Sequence, residues 1–305
     1  MRILIPVDGS KHAMAAVQYV ASRSTLVGAE PEIELLNVQA PVPARAARVV
    51  GKAVCASYYE DEADKALRPA LRVLDKAGFA ASARHAVGHA AEVIAEATEK
   101  PKGRKGAAVD LLVMGSHGRG AMMGLLLGSV TTGVLARTRT PILLLRPGAA
   151  PENEALKVGV AVDGSAYGLA AARYVIKHRD LFGATPAVQL IHVVPDFLGA
   201  TMPDLAGVSL PAFTPEEIAA MQTQAFEAAV APVRKLFAQA GLPVEEVRLT
   251  GNPGDAISAH AKKKKLDVLV IGSHGHGAFR QAVLGSVATR VAAHCTTPLL
   301  LVRSA

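Results

Sequence analysis

Tryptophan is absent from this chain of 305 residues, and aromatic residues make up only 4% of it. Recognition by stacking on aromatic platforms, as single-stranded nucleic acids require, is therefore disfavoured. The two cysteines, Cys55 and Cys295, build no disulfide framework and lack metal-ligand spacing. No apolar run approaches the roughly 20 residues needed to cross a bilayer. The first residues, Met1-Arg2-Ile3-Leu4-Ile5-Pro6, run into a strand-like segment rather than the apolar region of a signal peptide. The expectation is a soluble, cytoplasmic protein without membrane contact.

What is present is apolar content, 50% of the residues, much of it Ala, Val and Leu. That suffices for two domains with separate cores. The net charge is +7 but unevenly placed: residues 1–150 carry 19 Lys and Arg against 13 Asp and Glu, the rest 14 against 13. This modest bias suits an anionic ligand or an ordinary solvated surface. The Lys262–Lys265 run falls where a helix should end, and cations there complement the helix dipole.

The chain is a duplication. Gly115-Ser-His-Gly is followed after nine residues by Gly128-Ser129, and Gly272-Ser-His-Gly after nine by Gly285-Ser286. Asp8 maps onto Asp163 and Val38 onto Val193 at a shift of 155, Gly115 onto Gly272 at 157, and Gly88 onto Gly251 at 163. Short apolar runs alternate with amphipathic segments, the pattern of parallel α/β folds. Strands are expected at Arg2–Val7, Glu32–Val38, Ala81–Ala86, Leu111–Met114 and Ile142–Leu145, with helices at Ser10–Ser24, Tyr59–Ala77, Ala90–Glu99 and Ser129–Thr138. The second copy repeats this with strands at Lys157–Val162, Ala187–Val193, Val244–Thr250, Val268–Ile271 and Leu299–Val302. Pro147, Gly148 and Pro151 mark a linker, dividing the chain into domains 1–147 and 157–305 around 148–156. Pro195–Pro215 reads as a long loop over the ligand edge of the sheet, or as a partner-docking surface.

Each glycine block delivers exposed backbone N–H groups and a helix N-terminus, which suits a phosphate. Its spacing is neither that of Walker A nor of the dinucleotide fingerprint. The second element is Val7-Asp8-Gly9-Ser10 and its copy Val162-Asp163-Gly164-Ser165. Each Asp ends a first strand, where open α/β sheets bind ligands; it is read as a helix cap, as an acceptor for ligand hydroxyl or amino groups, or as both.

On these motifs the chain resembles a tandem universal stress protein of the ATP-binding subtype. The resemblance covers essentially the whole chain. It implies two tandem domains, each a five-stranded parallel sheet sandwiched by helices, of the adenine nucleotide alpha hydrolase-like kind. It implies further that Asp8 and Asp163 hold the adenosine, that Val38 and Val193 set backbone atoms against the base, and that Met114 and Ile271 line that pocket. Gly115, Gly118, Gly128 and Ser129 would cradle ribose and phosphates, with Val130 adjacent; Gly272, Gly275, Gly285 and Ser286 would do so in the second copy, with Val287 adjacent. His117 and His274 would lie beside the phosphates or be exposed loop histidines. Arg119 becomes His276, Thr131 becomes Ala288 and Gly133 becomes Arg290, so the pockets are expected to differ in cation, hydroxyl and affinity. The cofactor implied is ATP with Mg²⁺. With no lysine in the cradle and no paired carboxylates, no catalytic residue and no protein metal ligand is assigned. A nucleotide-dependent sensor in stress response is expected, the alternative being a slow Mg²⁺-dependent ATPase or nucleotide-processing enzyme. Expected partners are ATP and an unidentified protein, not nucleic acid. Pairing of the two last strands would make an intramolecular pseudo-dimer, and free edges could join two chains as a homodimer.

Overall fold

The computed structural model describes residues 1–99, 108–117, 127–194, 201–202, 210–211, 213–274 and 284–303. The first half runs β1 (Arg2–Pro6), α1 (Lys11–Ala21), α2 (Ser24–Val27), β2 (Glu32–Gln39), α3 (Ala44–Val50), α4 (Lys52–Lys76), β3 (Ala81–Val87), α5 (Ala90–Thr98), β4 (Leu111–Gly115), α6 (Ser129–Arg137) and β5 (Ile142–Leu145). The second runs β6 (Lys157–Ala161), α7 (Ala166–Lys177), β7 (Ala187–Val193), β8 (Thr201–Met202), β9 (Leu210–Pro211), α8 (Pro215–Gln239), β10 (Val244–Leu249), α9 (Pro253–Lys264), β11 (Val268–Gly272), α10 (Ser286–His294) and β12 (Leu299–Val302).

Each half contributes five parallel strands, and the two sets join into one sheet of ten in the order β10-β7-β6-β11-β12-β5-β4-β1-β2-β3. The join is antiparallel, with Leu144 opposite Leu299, Leu143 opposite Leu300 and Ile142 opposite Leu301. Sequence explains the order. The central strands β4, β5, β11 and β12 are apolar throughout and wholly buried, as parallel strands covered on both faces must be. The outer strands β3 and β10 carry Arg84, His85, Glu245, Glu246 and Arg248 at exposed or half-exposed edge positions, which blunts them against further pairing. One core cluster covers one face beneath α1, α4, α7 and α8; a second lies beneath α5, α6, α9 and α10. Both clusters contain residues of both halves.

Two expected helices need correction. The helix anticipated at Tyr59–Ala77 is α4, which starts at Lys52 and is preceded by α3. The sequence pattern hid α3 because it buries none of its residues and so lacks apolar periodicity. Gly51, at φ +85°, separates the two helices. The helix anticipated at Ser10–Ser24 is split by the bend at Ser22 and Arg23 into α1 and α2. Within the segment 195–215, β8 and β9 form a two-residue antiparallel ladder, and Thr214 caps α8 with Glu217 reciprocating. The rest of 195–212 lies outside the described residues. The lysine run behaves as anticipated: α9 ends at Lys264, Lys265 adopts the left-handed cap conformation, and all four lysines are exposed.

Arg23 is fully buried and donates to the carbonyl oxygens of Asn153 (3.0 Å) and Glu154. Ser24 Oγ adds a bond to the Glu154 carboxylate at 2.7 Å. The segment between the halves is thereby fastened to the first half.

Candidate nucleotide-binding sites

Strands β1 and β6 lead directly into Val-Asp-Gly-Ser. Gly9 and Gly164 both sit at φ +81°, a conformation that favours glycine, and turn the chain sharply into the next helix. Ser10 and Ser165, not the aspartates, cap α1 and α7: their hydroxyls accept from the amides of Ala13 (3.1 Å) and Gly168 (3.2 Å). Asp8 and Asp163 instead each accept the amide of the serine two residues on, at 2.9 and 3.0 Å. The capping interpretation therefore passes to the serines. Both aspartates line the cavities described below.

On strands β4 and β11 the glycine blocks begin. Gly115 and Gly272 lie under α1 and α7: a Cβ on Gly115 would fall 2.7 Å from the His12 backbone carbon, and one on Gly272 2.8 Å from that of Tyr167. The first glycine of each block is thus required by helix packing. Beyond it the loop returns to its origin, with the Gly128 amide donating to the Ser116 carbonyl at 2.9 Å and the Gly285 amide to Ser273 at 2.7 Å. Gly128 and Gly285 then start α6 and α10 without any side-chain cap. Such helix starts leave unpaired N–H groups and the positive end of the dipole available to an anion.

These parts enclose a cavity in each half. That of the second half, about 490 Å³, is lined by Asp163, Val193, Ile271, Gly272, His274, Gly285, Ser286 and Val287. All site residues anticipated for this copy meet there except Gly275, which lies outside the described residues. The cavity of the first half, about 90 Å³, gathers Asp8, Val38, Met114, Gly115, His117 and Val130. Gly128 and Ser129 are not on its wall, and Gly118 lies outside the described residues. Sequence reasoning missed the opposite wall, Ala90 and Ile94 on α5 and their counterparts Pro253 and Ile257 on α9. The repeat offset of 163 that relates Gly88 to Gly251 pairs these residues too, and could have found them.

His117 and His274 are half-buried rather than exposed. Each Nδ1 shares a hydrogen with the preceding serine hydroxyl, at 3.1 and 3.0 Å. Their rings tilt against His12 (5.6 Å between centroids) and Tyr167 (5.3 Å). Burial first, then the neighbouring His117, holds His12 below the ordinary imidazole range.

One of the expected asymmetries lies on the cavity walls, Thr131 in the first half against Ala288 in the second, and Thr131 also braces the scaffold. The Thr131 hydroxyl donates to the carbonyls of Gly115 (3.2 Å) and Ser116 (3.3 Å). Arg290 makes a two-pronged pair with Asp255 on α9, at 2.6 and 2.8 Å, so it is not a phosphate cation. Its first-half counterpart Gly133 permits the approach of Ala91, while in the second half Gly254 makes room for Arg290. The small residue has changed helix. Arg119 and His276 lie outside the described residues. Each cavity wall carries a single carboxylate, and among the described residues no group of three His, Cys, Asp or Glu could hold a metal.

A model of the universal stress protein family matches residues 1–146 and again 155–303. The chain belongs to the universal stress protein family. A universal stress protein of Mycolicibacterium smegmatis is 26% identical over 302 residues, covering 99% of this chain and 96% of its own. The universal stress protein MJ0531 of Methanocaldococcus jannaschii is 31% identical over 154 residues, half of this chain and 84% of its own. A solved universal stress protein from Archaeoglobus fulgidus shares the fold with a TM-score of 0.66 at 20% identity, over 99% of this chain and 98% of that one. Membership accounts for the duplication: two universal stress protein domains, α/β with a largely parallel sheet, follow one another in one chain. No helix among the described residues is long and apolar enough to cross a membrane.

Proposed function

We propose that this universal stress protein binds ATP at the carboxyl edge of each half-sheet and acts in the cytoplasm as a nucleotide-dependent sensor in stress response. One observation carries the reading: in both halves an uncapped helix N-terminus faces the same edge as an aspartate held by its own turn. The helix start suits phosphates, and the aspartate suits ribose hydroxyls or an exocyclic amine. The cavity of about 490 Å³ falls within the usual size range for small-molecule sites. With one carboxylate per wall, Mg²⁺ would be held chiefly by the triphosphate itself. The two units, 1–147 and 157–305 around the 148–156 linker, form the pseudo-dimer within one chain through β5 and β12. Their charged outer edges favour a protein partner on the loop side over further strand pairing. The two halves differ in cavity shape, about 490 Å³ in one against about 90 Å³ with an adjoining 270 Å³ at Asp8 and Val38 in the other, so unequal affinities are expected.

Titration calorimetry with ATP, ADP, cyclic AMP and GTP tests this on the whole chain and on Asp8→Asn and Asp163→Asn. Asparagine keeps the acceptor for the serine amide and removes the charge. Two ATP events of unequal affinity are expected, one lost in Asp163→Asn and the other in Asp8→Asn. Absence of ATP binding, or binding unchanged in both variants, refutes the proposal. Release of ADP and phosphate during the titration would favour the ATPase alternative.

A further inference from the structure

Arg146 follows β5 and Arg303 follows β12, the two strands that pair at the centre of the sheet. Each arginine crosses the seam. Arg303 Nη1 donates to the Leu135 carbonyl and, at 2.8 Å, to the Thr138 carbonyl, at the C-terminal end of α6 in the other half. Arg146 Nη2 reaches the carbonyls of Ala292 and Ala293 at the end of α10, at 3.4 Å each. The last carbonyls of a helix have no partner within it and carry the negative end of its dipole. A half-buried guanidinium satisfies both needs at once.

The helices so held are the two that begin at the glycine-serine pairs. At nine residues each, they are about 13 Å long, short enough for the fixing of one end to set the direction of the other.

We infer that Arg303 and Arg146 are positioning residues acting across the seam, each aiming the anion-binding helix of the opposite domain. The inference rests on the nucleotide reading proposed above. Neither domain then has a fully set phosphate cradle without the other. The two clamps are also unequal, since the contacts of Arg303 are shorter than the 3.4 Å contacts of Arg146. Removing Arg303 must therefore matter more.

The test uses the full chain with one pocket disabled. In an Asp163→Asn background, which leaves the first pocket working, Arg303→Ala is expected to weaken ATP binding about fivefold or more, with Arg303→Lys recovering part of the loss. In an Asp8→Asn background, Arg303→Ala is expected to leave the second pocket unchanged, and Arg146→Ala to weaken it by less than the Arg303 effect. An Arg303→Ala protein whose first-pocket affinity stays within about twofold of the parent overturns the inference, as does equal weakening of both pockets, which would report general destabilisation. If the unmodified chain binds no adenine nucleotide, the nucleotide reading fails by itself. The clamp is then decided by amide hydrogen exchange on the ligand-free chain: faster exchange confined to α6 in Arg303→Ala supports it, and unchanged or uniformly faster exchange refutes it.

Discussion

Gly115 lies beneath His12 so closely that a methyl group on it would stand 2.7 Å from the His12 backbone carbon. Gly272 bears the corresponding relation to Tyr167. The first glycine of the repeated block is consequently a demand of α1 and α7 crossing over strand ends, before any ligand is considered. The later Gly-Ser pair is different: there the chain starts a helix and supplies no side-chain cap. A motif with one physical explanation on paper has two in three dimensions.

Gly115→Ala is accordingly expected to destabilise the fold by about 1–3 kcal/mol, the usual cost of forcing an atom into a packed site. The neighbouring atom is backbone, so no rotamer change relieves it. Urea denaturation checks this. A variant as stable as the parent would show that α1 can move away from β4.

Ser286→Asp separates binding from folding by sign. A carboxylate in the first turn of α10 interacts favourably with the helix dipole, by about 0.3–1 kcal/mol at an exposed position. The same charge repels an anion at that helix start. The variant should thus melt at or slightly above the parent temperature while losing nucleotide from the second pocket. Retained binding would mean that the phosphates lie elsewhere.

His260 supplies a pH dependence. Its Nε2 meets Gln189 Oε1 at 2.9 Å, and the Gln189 amide nitrogen donates to Glu245 at 2.7 Å, so the neutral Nε2–H tautomer is the one held. Burial first, then Lys264 and Lys263, pushes its pKa below 6.5, with Glu245 opposing. A folded-state pKa lower than the unfolded one means that the unfolded chain binds the proton more readily. The contribution of His260 is therefore fully present above about pH 6.5 and is lost as pH falls through the lower, folded-state value. The difference in stability between the parent and His260→Gln should shrink across that window in chemical denaturation at stepped pH; a difference independent of pH contradicts the assignment.

The sheet was legible because its central strands are continuous apolar runs and because the chain repeats itself. Leu111–Met114 and Val268–Ile271 announce buried strands, and the offsets between copies locate their partners. The join of the two half-sheets followed only from resemblance, since nothing in Ile142–Leu145 or Leu299–Val302 specifies an antiparallel neighbour. α3 was invisible because it buries nothing. At the site, Asp163 and the Gly285-Ser286 pair were found from their motifs and Val193 and Ile271 from the family resemblance, whereas Ile94 and Ile257 look like ordinary core residues of a helix until α5 and α9 are seen to wall the cavities. The role of Arg290 was misjudged because its charge was counted without its partner Asp255, whereas Thr131 does stand on the wall of the first cavity.

The most direct measurement is to purify the chain natively, denature it, and identify the released small molecule by chromatography and mass spectrometry beside an Asp8→Asn/Asp163→Asn double variant. ATP released in proportion to the protein, and missing from the variant, is the result predicted. No nucleotide from either sample, with none bound after addition of Mg²⁺ and ATP, would contradict the account and leave the two glycine blocks as turns required by helix packing.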